Sequence, residues 1–242
     1  MSVTWGKSGI LAVAALVFAG GGAAAAELAC PGEHTEVRIS KKIEEPRVDY
    51  SKRAGQLETM KFTDPVASDR SFTNVAGLTV ASIAVDSEIR IASSAATAPG
   101  EATCAWPSVV SVTISTAPTV YVGADRGVCT REVGLNHEMQ HVGIDRKVID
   151  TYGPIFRQRV GAMVDAMNSA APEAGLDVGS MRSRIEEKIN AVIAVVADSL
   201  NDDRSSRHRK LDSPQEYMRL SYACPQVTVD PEGSAARARS SD

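Results

Sequence analysis

An α+β fold is predicted by three observations: a first half of short β-branched or alternating runs, a second half of long helical patterns, and a helix-start signal at Thr130 between them. Strand-like runs are Glu36 to Ser40 (EVRIS), Leu78 to Val85 (LTVASIAV) and Ile89 to Ser93 (IRIAS), separated by Gly, Asp and Ser. Val109 to Ile114 (VVSVTI) and Thr119 to Gly123 (TVYVG) flank Ser115-Thr116-Ala117-Pro118, which predicts an antiparallel hairpin. Thr130 can cap a helix through its hydroxyl, with Glu132 well placed in the first turn. That helix should run to about Tyr152, where Gly153-Pro154 stops or kinks it before Ile155 to Asn168 resumes the pattern. Met181 to Leu200 is amphipathic, with Ile185, Ile189, Val192, Val196 and Leu200 at three- and four-residue steps. A charged stretch, Asn201 to Lys210, follows, and Ser213-Pro214-Gln215-Glu216 reads as a cap and first turn of a short helix.

The chain has 242 residues, 43% hydrophobic and 23% charged, which suits one packed domain. A net charge of −4 provides no broad cationic surface, so nucleic acid is not an expected partner. Lys7, the apolar run Ile10 to Gly20 and Ala24-Ala25-Ala26 have the form of a cleaved secretory signal, too short to span a bilayer. We therefore expect a signal peptide over residues 1–26, one domain over 27–230 and a Gly/Ser/Arg-rich disordered tail over 231–242, with no stable membrane insertion after cleavage. The destination is the periplasm or the extracellular space. Glu27 argues against lipid attachment at Cys30.

Cys30, Cys104, Cys129 and Cys224 are an even number in a chain bound for an oxidising compartment, and none lies in a CxxC or CxxH pair. Two disulfides are expected. Cys104 and Cys129 flank the proposed hairpin, which pairs them and leaves Cys30 for Cys224.

His137-Glu138-Met139-Gln140-His141 is an HExxH sequence within the Thr130 helix. Four-residue spacing is close to one helical turn, so both imidazoles leave one face and can share one ion. Neutral imidazole suits Zn2+, and Glu138, about 100° round from His137, lies beside the ion rather than on it, where it can take a proton from water.

The motif resembles that of the zincin metallopeptidases, in which strands precede an active-site helix. HEMQHVGID followed by LDSPQEY and a late cysteine is similar to a group of uncharacterised secreted bacterial proteins described as zinc-dependent proteases. The resemblance implies a zincin-like fold, His137 and His141 as ligands and Glu138 as general base. Ile144 and Lys147 stand where a metzincin carries Gly and His or Asp, and Asp150-Thr151-Tyr152-Gly153 is only superficially like the downstream element of the aspzincins. What is left resembles the gluzincin arrangement, where a Glu on a later helix is the third ligand and a nearby Asp orients a histidine.

Several residues compete for the third ligand. Glu216, four residues after Asp212, is the favoured one, the pair reading as ligand and orienter. His208 is the rival, although Arg207 and Arg209 beside it suggest a solvated surface, and Asp150, Glu173, Glu186 and Glu187 follow. Asp145 is about 12 Å along the axis from His137, too far for the same ion, and is expected to accept the spare N–H of His141. Tyr152 or Tyr217 could steady an oxyanion, the edge strand Tyr121 to Gly123 could pair with a peptide, and His34 is expected at the surface. The sequence thus predicts a secreted zinc peptidase acting on peptide or protein substrates. A zinc-binding envelope or interaction protein without turnover is the alternative, and a metal-free structural module the third.

Overall fold

The computed structural model describes residues 35–61, 76–94, 104–169 and 177–224. The expected signal peptide, Cys30, His34, Glu173 and the tail lie outside the described residues. Ten elements follow in order: β1 (Glu36–Ile43), β2 (Arg47–Asp49), α1 (Ala54–Lys61), β3 (Gly77–Val80), β4 (Ile83–Ser94), β5 (Cys104–Thr116), β6 (Thr119–Val122), α2 (Val128–Asn168), α3 (Val178–Leu211) and α4 (Pro214–Tyr222). The architecture is α+β, with a small N-terminal sheet region ahead of a long helix that carries HExxH.

The strands form two three-stranded sheets, β1-β5-β4 and β2-β6-β3. In each the first pair is parallel and the second antiparallel. The chain passes from one sheet to the other on all three tracks, at 44–46, 81–82 and 117–118. Backbone bonds from Glu44 N to Thr116 O and from Arg47 N to Pro118 O hold two tracks together across the bend. Pro46 and Pro118, which donate no backbone hydrogen bond, sit at the bend, where the ladders are interrupted in any case. The predicted hairpin is therefore corrected: β5 and β6 are not partners, because the chain at Ala117-Pro118 bends forward into the second sheet instead of reversing. Leu78 to Val85 likewise crosses the bend and divides into β3 and β4.

The core lies between the β1-β5-β4 sheet and two long helices. Val110, Val112 and Ile114 of β5 meet Val148, Ile149, Phe156, Val160 and Val164 of α2 and Ile185, Ile189, Ile193, Val196 and Leu200 of α3. A smaller cluster joins Val120 and Val122 of β6 to Val142 of α2. Helix α2 is capped at Gly127 without a side-chain hydrogen bond, three residues before the expected cap Thr130, and does not stop at Gly153-Pro154. Proline in a helix interior costs about 3 kcal/mol, but ending the helix there would expose Phe156, Val160 and Val164, each worth roughly 1.5–3 kcal/mol when buried. Gly153 before the proline removes the Cβ that would otherwise crowd its ring.

Helix α3 begins at Asp177, whose carboxylate accepts from the backbone N–H of Gly179 and Ser180, and extends through the charged stretch to Leu211. That stretch keeps the buried face going: Leu200, Arg204 and His208 are all buried at four-residue steps. No helix among the described residues is long and apolar enough to cross a membrane.

Cys129, in the first turn of α2, is bonded to Cys224 just past α4, with their Cα atoms 5.9 Å apart. Cys104 is also disulfide-bonded. The expected Cys104–Cys129 and Cys30–Cys224 bonds are thus both corrected, for the reason that corrects the hairpin: the strands between Cys104 and Cys129 do not fold back on each other, and Cys129 is bonded to Cys224 instead.

Candidate metal centre

Pro214 decides where the site forms. The residue before a proline avoids the helical region, so α3 ends at Leu211, Asp212 becomes its C-cap, and Ser213 caps α4 by accepting from Glu216 N–H. The break turns Asp212 inward against the first third of α2, and its side chain is 3% exposed.

Helices α2 and α3 run antiparallel there, and each carries three polar residues at four-residue steps. His137, His141 and Asp145 on α2 face Asp212, His208 and Arg204 on α3, giving three buried rungs. In the first, Asp212 Oδ1 lies 3.1 Å from His137 Nε2 and 3.0 Å from His141 Nε2, while the two nitrogens are 3.3 Å apart. In the second, His141 Nδ1 and His208 Nδ1 approach to 2.6 Å. In the third, Arg204 donates from Nε and Nη2 to the two Asp145 oxygens at 2.7 and 3.0 Å, and His208 Nε2 is 2.7 Å from Asp145 Oδ1. Arg204 also donates to Ala81 O in the sheet bend at 2.9 Å.

The first rung fits a metal ion. Ligand bonds of about 2.0–2.2 Å at tetrahedral angles leave donor atoms about 3.3 Å apart, close to the three edges of this triangle. Two imidazole nitrogens and a carboxylate oxygen are a suitable donor set for a divalent transition metal. His137, Glu138 and His141 are all buried, and one donor atom from each lies within 4.8 Å of the others. Glu138 Oε2 is buried with no hydrogen-bond partner among the described residues, a position that normally calls for a proton, water or ion.

Glu138 owes its place to β3. Thr79 Oγ1 donates to Glu138 O at 3.0 Å, and Gly77 leaves open the space that the Glu138 side chain fills. Gly134, one turn earlier on α2, faces Ala76 with little room to spare, so α2 and the start of β3 meet closely along this seam.

Glu216 occupies a different position from the one its sequence role implies. Its Oε1 is 3.5 Å from His137 Nδ1, the ring nitrogen turned away from the triangle, and Arg219 holds both its oxygens at 2.6 and 2.8 Å. Arg219 is also the main cause that lowers the Glu216 pKa. Asp212, expected as an orienter, is the carboxylate at the triangle. Asp145 is one step farther from His141 than expected, because His208 stands between them. His208 is buried rather than solvated: helical spacing puts Arg207 on another face, paired with Asp203, and turns His208 inward.

Tyr152 is away from the centre, its hydroxyl donating to Ser199 O, whereas the Tyr217 ring centroid is 6.0 Å from that of His137. Asp150 pairs with Lys41 at the surface. Glu186 and Glu187 are near the start of α3, about 30 Å along its axis from His208.

The pKa directions follow from this packing. Burial disfavours the charged form of His137, but the hydrogen bond to Asp212 and the charges of Glu138, Asp212 and Glu216 outweigh it and raise its pKa. Burial would raise Asp145, but His208 and the Arg204 guanidinium overcome that and hold it below its ordinary value. Burial is the main cause that lowers His208.

Comparison with protein-family models, curated proteins and solved structures finds no match to this chain. The functional reading therefore stands on the geometry of the centre.

Proposed function

We propose that the chain is a secreted, zincin-like zinc metallopeptidase of one domain over residues 27–230. The observation that carries this reading is the triangle of His137 Nε2, His141 Nε2 and Asp212 Oδ1 with the buried carboxylate of Glu138 beside it. His137, His141 and Asp212 are the ligands in this proposal. Glu216, with Arg219, takes the orienting role on His137 Nδ1 that the resemblance gave to an aspartate. Three protein ligands leave a coordination position open, as catalytic zinc sites do.

Bound zinc would polarise a substrate carbonyl and make water easier to deprotonate. The chain's own groups do the rest. Glu138 accepts the proton of the attacking water at its carboxylate and hands it to the departing amine, a transfer worth roughly 10²- to 10⁴-fold in rate. Its burial, at 4% exposed, keeps bulk water from competing for that carboxylate. Tyr217, whose ring centroid is 6.0 Å from that of His137, is the tyrosine this proposal assigns to the developing oxyanion. The disulfides support secretion, since such bonds persist in oxidising compartments.

Zinc content and chelator-sensitive cleavage of casein are the direct test. Asp212→Ala should lose zinc as completely as His141→Ala, and Glu216→Gln should retain it with weaker affinity. Retention by Asp212→Ala with loss in Glu216→Gln would return the ligand role to Glu216. A zinc-loaded protein that cleaves no member of a broad peptide library would favour the non-catalytic zinc-binding alternative.

A further inference from the structure

We propose that helix α4 is a strap over the metal centre and that the Cys129–Cys224 bond is its latch, so that a dithiol reductant frees the strap and admits a peptide. Admission of a peptide rests on the peptidase reading above; the movement of the strap does not. The centre is closed where its chemistry needs it open: His137, Glu138, His141 and Asp212 are between 1% and 8% exposed. An extended chain can lie against them only after some element moves.

Helix α4 stands between His137 and solvent. Glu216 Oε1 is 3.5 Å from His137 Nδ1, and the Tyr217 ring centroid is 6.0 Å from that of the histidine. Glu216, Tyr217 and Leu220 are half-buried at helical spacing, and the other residues of α4 are exposed. Its hold on the body of the fold is slight. No residue of α4 is buried, whereas α2 and α3 lock together through residues such as Phe156, Ile189 and Leu200. Tyr217 and Leu220 are the apolar side chains of the inward face, and their partial burial anchors a nine-residue helix only weakly.

Both ends of α4 are tied. At its start Asp212 stays with α3, its backbone N–H donating to His208 O, and Ser213 is the turn on which α4 can pivot. At its end Cys224 is bonded to Cys129 in the first turn of α2. With both ends fixed α4 has little room to lift. With the Cys224 end released it can swing on Ser213 while His137, His141 and Asp212 stay on α2 and α3. Reclosure then returns Glu216 and Tyr217 to His137 over the admitted chain.

The latch is within reach of a reagent. Cys129 and Cys224 are partly exposed, whereas Cys104, also disulfide-bonded, is 4% exposed. Exposed disulfides are the more readily reduced. One thiolate of the dithiol attacks a sulfur of the bond, the S–S bond breaks, and a mixed disulfide forms. The reagent's second thiolate attacks that mixed disulfide and leaves as a cyclic disulfide. Two electrons pass from the dithiol to the bond, and its two protons end on Cys129 and Cys224.

The test uses the full chain, stripped of metal. Brief treatment with dithiothreitol should free Cys129 and Cys224 for alkylation while Cys104 stays bonded, as read by peptide mapping. Alkylation holds the latch open, and the reagent is then removed. Backbone amides of α4 should exchange with deuterium roughly tenfold faster than before, while the buried stretches of α2 and α3 remain protected. After zinc is added, casein cleavage and zinc loss to a chelator should each be roughly tenfold faster than in the oxidised protein. Cys129→Ser/Cys224→Ser should match the alkylated wild type without any reductant. Unchanged α4 exchange, an unchanged cleavage rate, or α2 and α3 opening together with α4 would overturn the proposal, the last because the bond would then staple the whole fold. Faster α4 exchange in a protein that takes up no zinc would sustain the strap and sink the metal reading. Faster α4 exchange and zinc loss with no cleavage in either form would sustain the strap and favour the non-catalytic alternative.

Discussion

Gly77→Ala tests how Glu138 is held. A Cβ at position 77 would lie 2.7 Å from Glu138 Cγ and 3.2 Å from the backbone oxygen of Tyr121. Carbon atoms in comfortable contact are about 3.5–4.0 Å apart, so roughly 1 Å must be found. The strand on the other side is paired backbone, Gly77 lying opposite Val122, and cannot retreat cheaply. Glu138 must move. A displacement of about 1 Å in a positioned catalytic group can cost roughly 10²-fold in rate, while none of the atoms nearest the new methyl belongs to His137, His141 or Asp212. Overpacking should also destabilise by about 1–3 kcal/mol, with the thermal midpoint falling roughly 2–4 °C for each kcal/mol. The assay is casein hydrolysis by zinc-loaded protein, alongside zinc content and a melting curve. If the loss acts only through Glu138, the double variant Gly77→Ala/Glu138→Gln should be no slower than Glu138→Gln alone. Full activity in Gly77→Ala, or a further large drop in the double variant, would refute the reasoning.

Glu138→Gln should keep zinc and thermal midpoint while hydrolysis falls by roughly 10²- to 10⁴-fold, as read by metal analysis and rate together. Asp145→Asn leaves Arg204 buried without its anion and should cost about 3–5 kcal/mol in urea unfolding at neutral pH. Because the Asp145 pKa is lowered in the folded chain, its contribution is fully present above the unfolded value of about 3.9 and is lost as pH falls through the folded value. The wild type should therefore lose stability more steeply than Asp145→Asn below about pH 4. Replacing Cys129 and Cys224 by Ser removes a bond that spans 95 residues and should lower stability by roughly 2–4 kcal/mol in a melt.

The two histidines and the glutamate were legible because HExxH is a local pattern that needs only a helix to place it. The α+β class was legible from periodicity. The bend in the sheet was not: it depends on which strands become partners across long separations, and Ala117-Pro118 reads equally as a turn or as a kink. The identity of the facing carboxylate was obscured by the basic residues 207, 209 and 210, which made a buried helix face resemble a solvated one. A usable signal was nonetheless present. Leu200, Arg204, His208 and Asp212 recur at steps of four, as do His137, His141 and Asp145, and two such series on antiparallel helices can meet rung by rung. Neither series alone says that the other is its partner.

The Cys129–Cys224 bond has a kinetic meaning for the centre it encloses. His137 and Asp212 are 75 residues apart in the chain, and in a reduced, unfolded polypeptide closing that loop costs about 4 kcal/mol of chain entropy. Once the cysteines are joined, the short way round through the bridge is roughly 20 residues, and the closure becomes about 1 kcal/mol easier. Oxidation would thus raise the local concentration of the Asp212 carboxylate around the two histidines several-fold, so that the triangle assembles more readily in the oxidised chain than in the reduced one.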